Sequence, residues 1–297
     1  IMLTEPLTAP PTQNLKRFYA IIVGILFVPQ MHLGRIYSTP ELALVIGNVY
    51  SYLVSPKRKY MLKLKRKSKV ASNIVDFAFK PSQKLVFAPG QYMEFTLAHA
   101  KPDSRGNRRF FTLASSPTEE SLHLGVRFYE NGSSFKKVLS RMDGRTQIIA
   151  GQIAGDFTLP QDCQQKLVFL AGGIGITPFR SMLKYLLDLK ERRDIVLFYA
   201  NRTADEIAYA DVLSEAQTKL GIQVFYTLTN TQAIPRNWRG FVGRIDEDMI
   251  AQAVPDYLER TFYLSGPPAM VRAYEHILKN MHVKDVQIKK DFFPGLV

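Results

Sequence analysis

The sequence predicts two domains, an antiparallel β-barrel followed by a parallel α/β sheet, with a short helical hairpin ahead of both. Three observations predict this fold. Short runs of alternating hydrophobicity, separated by Gly and Pro, fill residues 57–160 and are typical of an antiparallel barrel. Over residues 161–297 apolar strands alternate with helical segments, which is the pattern of βαβ units. Residues 1–56 instead hold two apolar stretches.

Composition excludes several kinds of site. The chain has 297 residues, of which 46% are hydrophobic and 22% charged, as in ordinary globular proteins. Its single cysteine, Cys163, excludes a disulfide framework and any zinc or iron–sulfur site built from four cysteines. The five histidines are scattered without a metal-binding spacing. We therefore expect no metal centre.

The two N-terminal apolar stretches predict a helical hairpin in the membrane. They cover residues 18–34 and 42–54. Lys16 and Arg17 precede the first stretch, and a basic run over residues 57–69 follows the second. Positive residues on both flanks predict that both ends lie at the cytoplasmic face of the cell membrane, with the basic run against anionic headgroups. The alternative is a soluble hairpin packed on the main body.

The net charge of +13 is concentrated in the same part of the chain. Residues 1–70 hold eleven Lys and Arg against two Glu, whereas the remainder is nearly balanced. A nucleic-acid binder usually carries a recognition motif beside its basic residues, and none is present. We therefore expect a membrane surface rather than a nucleic acid as the partner of the basic run.

The opening segment resembles part of a membrane subunit. Residues 3–11 and 18–29 are similar to the end of the membrane flavin subunits of Rnf and sodium-pumping NADH:quinone oxidoreductase complexes. The threonine motif to which those subunits tether FMN is not found here. The chain begins with Ile1, so we expect either a processed start or the C-terminal piece of a longer protein.

The most informative stretch of the first domain runs from Arg109 to Pro117. Strand alternation places Arg109, Phe111 and Leu113 on one face. A guanidinium can bind a phosphate as a fork, an aromatic ring can stack on an isoalloxazine, and the Thr112 hydroxyl can hydrogen-bond to a ring nitrogen. These residue types within four positions favour a flavin site.

This stretch resembles the Arg-x-Tyr-Ser-x-x-Ser motif of the ferredoxin–NADP reductase superfamily, with Phe and Thr in place of Tyr and Ser. Residues 89–92 and 155–157 are similar to the Pro-Gly-Gln and glycine-aromatic elements of that family. Gly132, Ser133 and Ser134 resemble its second flavin motif, in which a capped helix start presents N–H groups to the flavin diphosphate. Which serine acts stays open, and an ordinary helix cap is the alternative. The resemblance implies that FAD is bound by Arg109, Phe110, Phe111, Thr112, Leu113, Gly132, Ser133 and Ser134.

A glycine-rich loop opens the second domain, between a predicted strand and a predicted helix. Such a loop lets backbone N–H groups approach a phosphate, and the helix dipole favours the anion. Its spacing differs from the common dinucleotide fingerprint. It resembles the Gly-Gly-x-Gly-x-Thr-Pro loop of the ferredoxin reductase family. The resemblance implies that the nicotinamide dinucleotide is bound by Gly172, Gly173, Gly175, Thr177 and Pro178.

Two later segments complete the resemblance, which covers residues 60–297. Ser265, Gly266 and Pro267 begin a segment similar to the family's Cys-Gly-Pro-Pro-x-Met, with serine in place of cysteine. This implies that Ser265 positions the nicotinamide, and that hydride transfer is slower than in relatives with cysteine. The C-terminal aromatics resemble the residue that covers the flavin face. Phe293 is the first choice and Phe292 the second, with terminal packing as the alternative.

Arg202 follows the second predicted parallel strand, where such folds bind the adenosine ribose. It would bind a 2′-phosphate of NADPH, stack on adenine, or pair with Asp205. NADH and NADPH therefore both stay open as donors.

These features together predict a membrane-associated, FAD-dependent NAD(P)H oxidoreductase that passes electrons to a membrane or protein acceptor. Thr112, Ser265 and Phe293 are the expected catalytic residues. A plant-type iron–sulfur outlet is excluded by the single cysteine, and paired haem histidines are missing from the apolar segment. The alternatives are a ferric-reductase-like electron transferase and a membrane-tethered flavin sensor or assembly module without enzymatic activity.

Overall fold

A computed structural model describes residues 10, 13–28, 32–33, 36–54 and 59–291. The N-terminal hairpin consists of α1 (Gln13–Leu26), the paired two-residue strands β1 (His32–Leu33) and β2 (Ile36–Tyr37), and α2 (Pro40–Val54). Tyr19 and Val23 of α1 pack against Ala43 of α2. A Cβ at Gly47 would lie 2.5 Å from Val23 Cγ2, so glycine permits the close approach of the two helices.

The outer face of this hairpin is apolar and exposed. The side chains that form it include Phe18, Ile21, Ile25, Val45, Val49, Tyr52 and Leu53, each more than half exposed. Within the described ranges, no helix combines the length and hydropathy of a membrane-spanning segment. The spanning hairpin expected from the sequence is therefore not found. An exposed apolar patch of this kind marks an interaction surface.

The first domain is a six-stranded antiparallel sheet. Its elements are β3 (Lys59–Ala71), β4 (Ile74–Pro81), β5 (Tyr92–Thr96), β6 (Arg108–Thr112), β7 (Leu122–Arg127), α3 (Ser134–Arg141) and β8 (Gln147–Ala154), with strand order β6-β5-β8-β3-β4-β7. The edge strands curl toward each other, and Ala114 N donates to His123 O at 2.9 Å just beyond β6. The predicted barrel is thus a curled sheet around one apolar core.

The second domain is a six-stranded parallel sheet in the order β12-β11-β10-β9-β13-β14. Its elements are β9 (Leu167–Gly172), α4 (Thr177–Leu189), β10 (Ile195–Asn201), α5 (Ala210–Leu220), β11 (Gln223–Leu228), β12 (Phe241–Val242), α6 (Glu247–Ala253), β13 (Thr261–Ser265), α7 (Pro268–Asn280) and β14 (Ile288–Asp291). Two details differ from expectation. The sequence pattern predicts a helix over residues 205–220, whereas α5 begins at Ala210, because Tyr209 takes a left-handed φ of 55°. The two-residue strand β12 was not predicted.

Buried contacts join the two domains. One core beside α4 and α5 includes Ile74 and Ala114 of the first domain. Arg180 of α4 is 7% exposed and forms a forked ion pair with Glu119 of the first domain, with Arg180 Nη2 2.9 Å from Glu119 Oε1. The Tyr209 hydroxyl donates to Asp76 Oδ1 of β4 at 2.9 Å. The carboxyl edge of the parallel sheet is therefore held against the curled sheet.

Candidate functional site

The first part of the site joins strand β6 to helix α3. Arg109 and Phe111 lie on one face of β6 and contact the same ring, that of Phe135 in α3. The Arg109 Cζ atom is 5.5 Å from the Phe135 centroid, and the Phe111 centroid is 5.9 Å from it. Phe111 also meets Phe95 edge-on at 5.8 Å, so its ring is packed at the end of the sheet's core. The two motifs predicted to bind flavin are thus brought together.

The two serines have separate tasks. Ser133 is the N-cap of α3, and its hydroxyl accepts from Lys136 N at 3.3 Å. The Ser134 N–H donates to Asp103 Oδ2 at 2.9 Å, and Asp103 N donates back to Ser134 Oγ at 3.0 Å. His99 Nε2 is also 3.0 Å from Ser134 Oγ. Asp103 was not predicted as a site residue, yet its carboxylate lies at the helix start where an anion is expected.

A cluster of cations surrounds this helix start. Asp103 pairs with Arg105 at 3.0 Å and with Arg109 at 3.5 Å. Burial lowers the pKa of the Lys136 ammonium, and the nearby charges of Arg105, Arg109 and Arg127 lower it further. Arg127 is neutralised by Glu206 at 2.6 Å.

The cluster fits the diphosphate of FAD. Arg105 and Arg109 pair with the Asp103 carboxylate, and Lys136 lies close enough to both guanidinium groups for their charges to lower its pKa. A diphosphate would bring negative charge to these three cations. The Nη2 atom of Arg109 is buried and, within the described part of the chain, donates no hydrogen bond. Its nearest carboxylate oxygen, Asp103 Oδ1, lies 3.5 Å away, so this guanidinium nitrogen has an ion-pair partner but keeps hydrogen-bonding capacity that a phosphate could use.

Three further predicted flavin residues lie near this cluster but contact other protein groups. Leu113 is fully buried in the sheet's core, and its N–H donates to Gln91 O at 2.9 Å. Phe110 packs edge-on against Tyr92 at 5.8 Å. Gly132 closes a turn ahead of α3, with its N–H 3.0 Å from Tyr129 O. Leu113 therefore serves as core, whereas Phe110 lies on the face opposite Phe111.

The second part of the site is formed by two loops at the carboxyl edge of the parallel sheet. A Cβ at Gly175 would lie 2.3 Å from the carbonyl oxygen of Ser265, and one at Gly172 would lie 2.2 Å from Met270 Sδ. Gly266 is equally close to Met270. The loop over residues 172–178 and the segment that begins at Ser265 therefore touch through backbone, which only glycine permits.

The glycine loop also contacts Tyr199 of β10 in the parallel sheet and Arg127 of the first domain. Gly173 has a φ of 52°, and its carbonyl accepts from the buried Tyr199 hydroxyl at 3.1 Å. A Cβ there would lie 2.7 Å from Arg127 of β7. Thr177 Oγ1 donates to Ile174 O at 3.1 Å, and Pro178 lies in the first turn of α4. A 3₁₀ turn over Gly173–Ile176 leads into α4, and the Thr177 N–H donates to Ile174 O, so backbone rather than a side chain caps the start of this helix.

The two parts meet at a buried carboxyl group. Ser265 and Asp291 are paired residues at the ends of β13 and β14, and Ser265 Oγ donates to Asp291 Oδ2 at 3.0 Å. The Thr112 side chain, at the end of β6, also hydrogen-bonds to Asp291. Burial raises the pKa of the Asp291 carboxyl to about 7, although both hydrogen bonds act to lower it. Burial, followed by the charges of Asp291 and Asp156, raises the pKa of Tyr92 beside it.

Asp291, like Asp103, was not predicted as a site residue from the sequence. Its signal is its place, at the end of the last parallel strand, beside the strand that ends at Ser265. The carboxyl ends of neighbouring parallel strands lie at the same edge of a sheet, so an acid at the end of β14 lies beside Ser265 at the end of β13. Phe293 and Phe292, chosen from the next few positions, lie outside the described residues.

Two predictions concern the ends of the dinucleotide. Arg202 is exposed beyond β10, and within the described ranges its guanidinium has no ion pair. Hydrogen bonds from Thr203 and Ser72 lower the pKa of Asp205, so Asp205 is occupied elsewhere. Pro267 accepts from Val271 N at 3.1 Å as the N-cap of α7. Arg202 is therefore open to a ligand, whereas Pro267 shapes the helix start.

Comparison with known proteins agrees with this geometry. Residues 169–276 match the family model of the oxidoreductase NAD-binding domain. The chain is 26% identical over 245 residues to a flavohemoprotein of Oceanobacillus iheyensis, covering 79% of this chain and 59% of the relative. It is 28% identical over 252 residues to NADH-cytochrome b5 reductase 1 of Ajellomyces capsulatus, covering 81% of this chain and 80% of the relative. The chain spans just over half the length of several curated relatives.

Solved structures share the fold. The cytochrome b5 reductase domain of Ulva prolifera nitrate reductase superposes with a TM-score of 0.69 at 22% identity, over 79% of this chain and 98% of that one. Both sheets and their arrangement are therefore shared with the fold of that reductase domain.

Proposed function

We propose that this chain, which carries a ferredoxin–NADP reductase-like FAD- and NAD-binding module, is an FAD-dependent NAD(P)H oxidoreductase. One observation carries the proposal. The buried Asp291 carboxyl joins Ser265 of the nucleotide-binding side to Thr112 of the flavin-binding side. The two halves of the site thus meet at a single point, where a nicotinamide and a flavin would face each other.

The chain's own residues supply alignment and charge. Arg105, Arg109 and Lys136 hold the diphosphate, and the first turn of α3 adds backbone N–H groups. FAD, when bound, accepts a hydride from the nicotinamide and releases electrons to an acceptor. Thr112 places its hydroxyl at the flavin, and Ser265 places the nicotinamide by a contact that Asp291 orients.

Asp291 also holds a proton near neutral pH. A buried carboxyl group with a pKa of about 7 is half protonated under ordinary conditions. Its hydrogen-bond partner Ser265 lies where the nicotinamide is proposed to bind, so the protonation state sets the charge beside the reacting ring.

The donor is proposed to be bound by the glycine loop at its phosphates. Gly172, Gly173 and Gly175 bring backbone close to the dinucleotide, and the start of α4, which no side chain caps, favours its negative charge. The free guanidinium of Arg202 meets the adenosine end. NADH and NADPH are both kept as donors, and the ratio of their catalytic efficiencies measures the contribution of Arg202.

The acceptor is proposed to lie at a membrane surface or in a partner protein. The outer face of the hairpin is apolar, and the exposed residues of β3 include Lys63, Lys65, Arg66, Lys67 and Lys69. An exposed apolar face and a strand rich in exposed Lys and Arg are the two features that binding to an anionic bilayer requires. We propose that the hairpin holds the module at the cytoplasmic face of the membrane.

The oxidoreductase proposal is tested by turnover. The FAD-loaded chain is mixed with NADH or NADPH and ferricyanide as a one-electron acceptor, and reduction of ferricyanide is followed by absorbance. The expected result is turnover that depends on FAD and is lost in Gly175→Ala, whose added methyl would collide with the carbonyl of Ser265. A flavin that binds but supports no turnover would favour the sensor alternative.

The membrane proposal has a separate test. The full chain is floated with vesicles of phosphatidylcholine alone or with phosphatidylglycerol. Binding is expected only to the anionic vesicles, and is expected to fall in a double variant, Ile21→Ser with Ile25→Ser. Leu258→Ser is the matched control, because Leu258 is equally exposed on the nucleotide-binding domain. Binding unaffected by the double variant would refute the role of the hairpin.

A further inference from the structure

The flavin-binding cluster contains an anion of its own. The Asp103 carboxylate accepts from Ser134 N at 2.9 Å, from Arg105 N at 3.1 Å and from Arg105 Nη2 at 3.0 Å. Arg109 Nη2 lies 3.5 Å from Asp103 Oδ1, the oxygen that also accepts from Arg105 N. We name this set of contacts, between Asp103 and Ser134, Arg105 and Arg109, the Asp103 clasp.

The clasp uses the same donors that a diphosphate needs. Of the first amides of α3, that of Ser134 bonds to Asp103 and that of Lys136 bonds to the Ser133 hydroxyl. The two arginines are the strongest phosphate donors nearby. A carboxylate and a phosphate cannot share these positions, because like charges at hydrogen-bond distance from one donor set repel strongly.

Asp103 lies in the partly exposed loop between β5 and β6, so its side chain can move away from the start of α3. This loop includes Gly106 at a φ of 68°. The Asp103 and Arg105 side chains are 28% and 30% exposed, so water can solvate the carboxylate once it leaves the helix start. Arg109 is anchored separately, since its Nη1 donates to the carbonyl of Arg105 at 2.7 Å and to that of Gly106 at 3.2 Å.

We propose that the Asp103 carboxylate competes with the flavin diphosphate for the same hydrogen-bond donors. FAD then binds by displacing this carboxylate from Ser134, Arg105 and Arg109. This inference rests on the proposed function. It assigns Asp103 the role of setting flavin affinity: the residue holds the helix start when flavin is absent and weakens flavin binding when flavin is present.

The test is the affinity of the full chain for FAD, measured by quenching of flavin fluorescence, in wild type and Asp103→Asn. Removing the competing charge is expected to tighten binding at least about tenfold, since a hydrogen bond to a charged group is worth roughly that much. The gain is expected in the association rate constant, measured by stopped flow. The carboxylate-retaining variant Asp103→Glu is expected to bind FAD as weakly as wild type.

Asp143→Asn is the matched control. Asp143 also accepts from two backbone N–H groups in a turn, those of Arg145 and Thr146, and its loss changes the net charge of the same domain equally. We expect its affinity for FAD to match that of wild type. Equal tightening in both variants would show a general charge effect and overturn the proposal.

The low pKa of the Asp103 carboxyl group also predicts how the effect of Asp103→Asn depends on pH. The Ser134 N–H and the adjacent Arg105 hold the pKa of this carboxyl at about 2. The advantage of Asp103→Asn is therefore expected to be constant from pH 5 to pH 8. Weaker binding in Asp103→Asn would overturn the proposal and show that Asp103 orders the arginines for flavin. Failure of wild type and every variant to bind FAD would overturn the flavin site itself.

Discussion

Replacing Asp291 by Asn should stabilise the protein at alkaline pH. Asp291 is buried between Ser265 and Thr112, and burial raises the pKa of its carboxyl to about 7. Between the ordinary value of 3.8 and about 7, the unfolded chain releases this proton while the folded chain keeps it. The unfolded state then binds fewer protons, so the stability of wild type falls as the pH rises through this window.

The magnitude follows from that difference. Each pH unit corresponds to about 1.4 kcal/mol, so the ionised carboxylate costs the folded state about 4 kcal/mol above pH 7. At pH 5 most of this cost has not yet developed. The stability advantage of Asp291→Asn should therefore grow by about 2 to 3 kcal/mol between pH 5 and pH 8. Asparagine keeps the size of the side chain and an oxygen that accepts from Ser265.

The assay is urea unfolding of the flavin-free chain, followed by far-UV circular dichroism at pH 5, 6, 7 and 8 for wild type and Asp291→Asn. Ser265→Ala is a useful companion, because it removes a hydrogen bond that lowers the pKa of Asp291. The pH-dependent loss should then move to higher pH. A difference in unfolding free energy that stays flat from pH 5 to pH 8 would refute the reasoning.

Three further substitutions test other contacts. Glu119→Ala leaves the buried Arg180 guanidinium without its carboxylate and should cost about 3 to 5 kcal/mol in urea unfolding, and a loss below about 1 kcal/mol would contradict a buried pair. Gly175→Ala should slow flavin reduction by NAD(P)H about 100-fold while FAD binding persists, because the loop must move away from Ser265. Arg109→Gln should raise the FAD dissociation constant roughly 10- to 100-fold in a fluorescence titration, and an unchanged constant would exclude Arg109 from the diphosphate site.

Local signals in the sequence predicted most of the framework. Strand alternation located β3, in which Tyr60, Leu62 and Leu64 are buried and Lys63 is exposed. The glycine-rich loop was predicted from its place between a strand and a helix and from its resemblance to a known loop, and the structure shows that the approach of the Ser265 carbonyl requires glycine at Gly175. Both features depend on residues close together in the chain, where pattern and conformation are directly linked.

What could not be predicted depends on contacts between distant residues. The clasp joins Asp103 to Ser134, and the junction joins Ser265 to Asp291, in each case from separate elements. An acid in a loop or at a strand end has no periodicity that reveals its partner. The helix predicted from Asp205 also started late, because the buried Tyr209 adopts a left-handed conformation that tertiary packing imposes.

We propose that a flavin and a nicotinamide meet where Ser265 and Thr112 hydrogen-bond to Asp291. The most direct test is an anaerobic absorbance titration of the FAD-loaded chain, first with NADH and then with NADPH. At least one nucleotide is expected to bleach the flavin band stoichiometrically, and Ser265→Ala is expected to slow the bleaching without releasing FAD. A bound flavin that neither nucleotide bleaches would contradict the proposal.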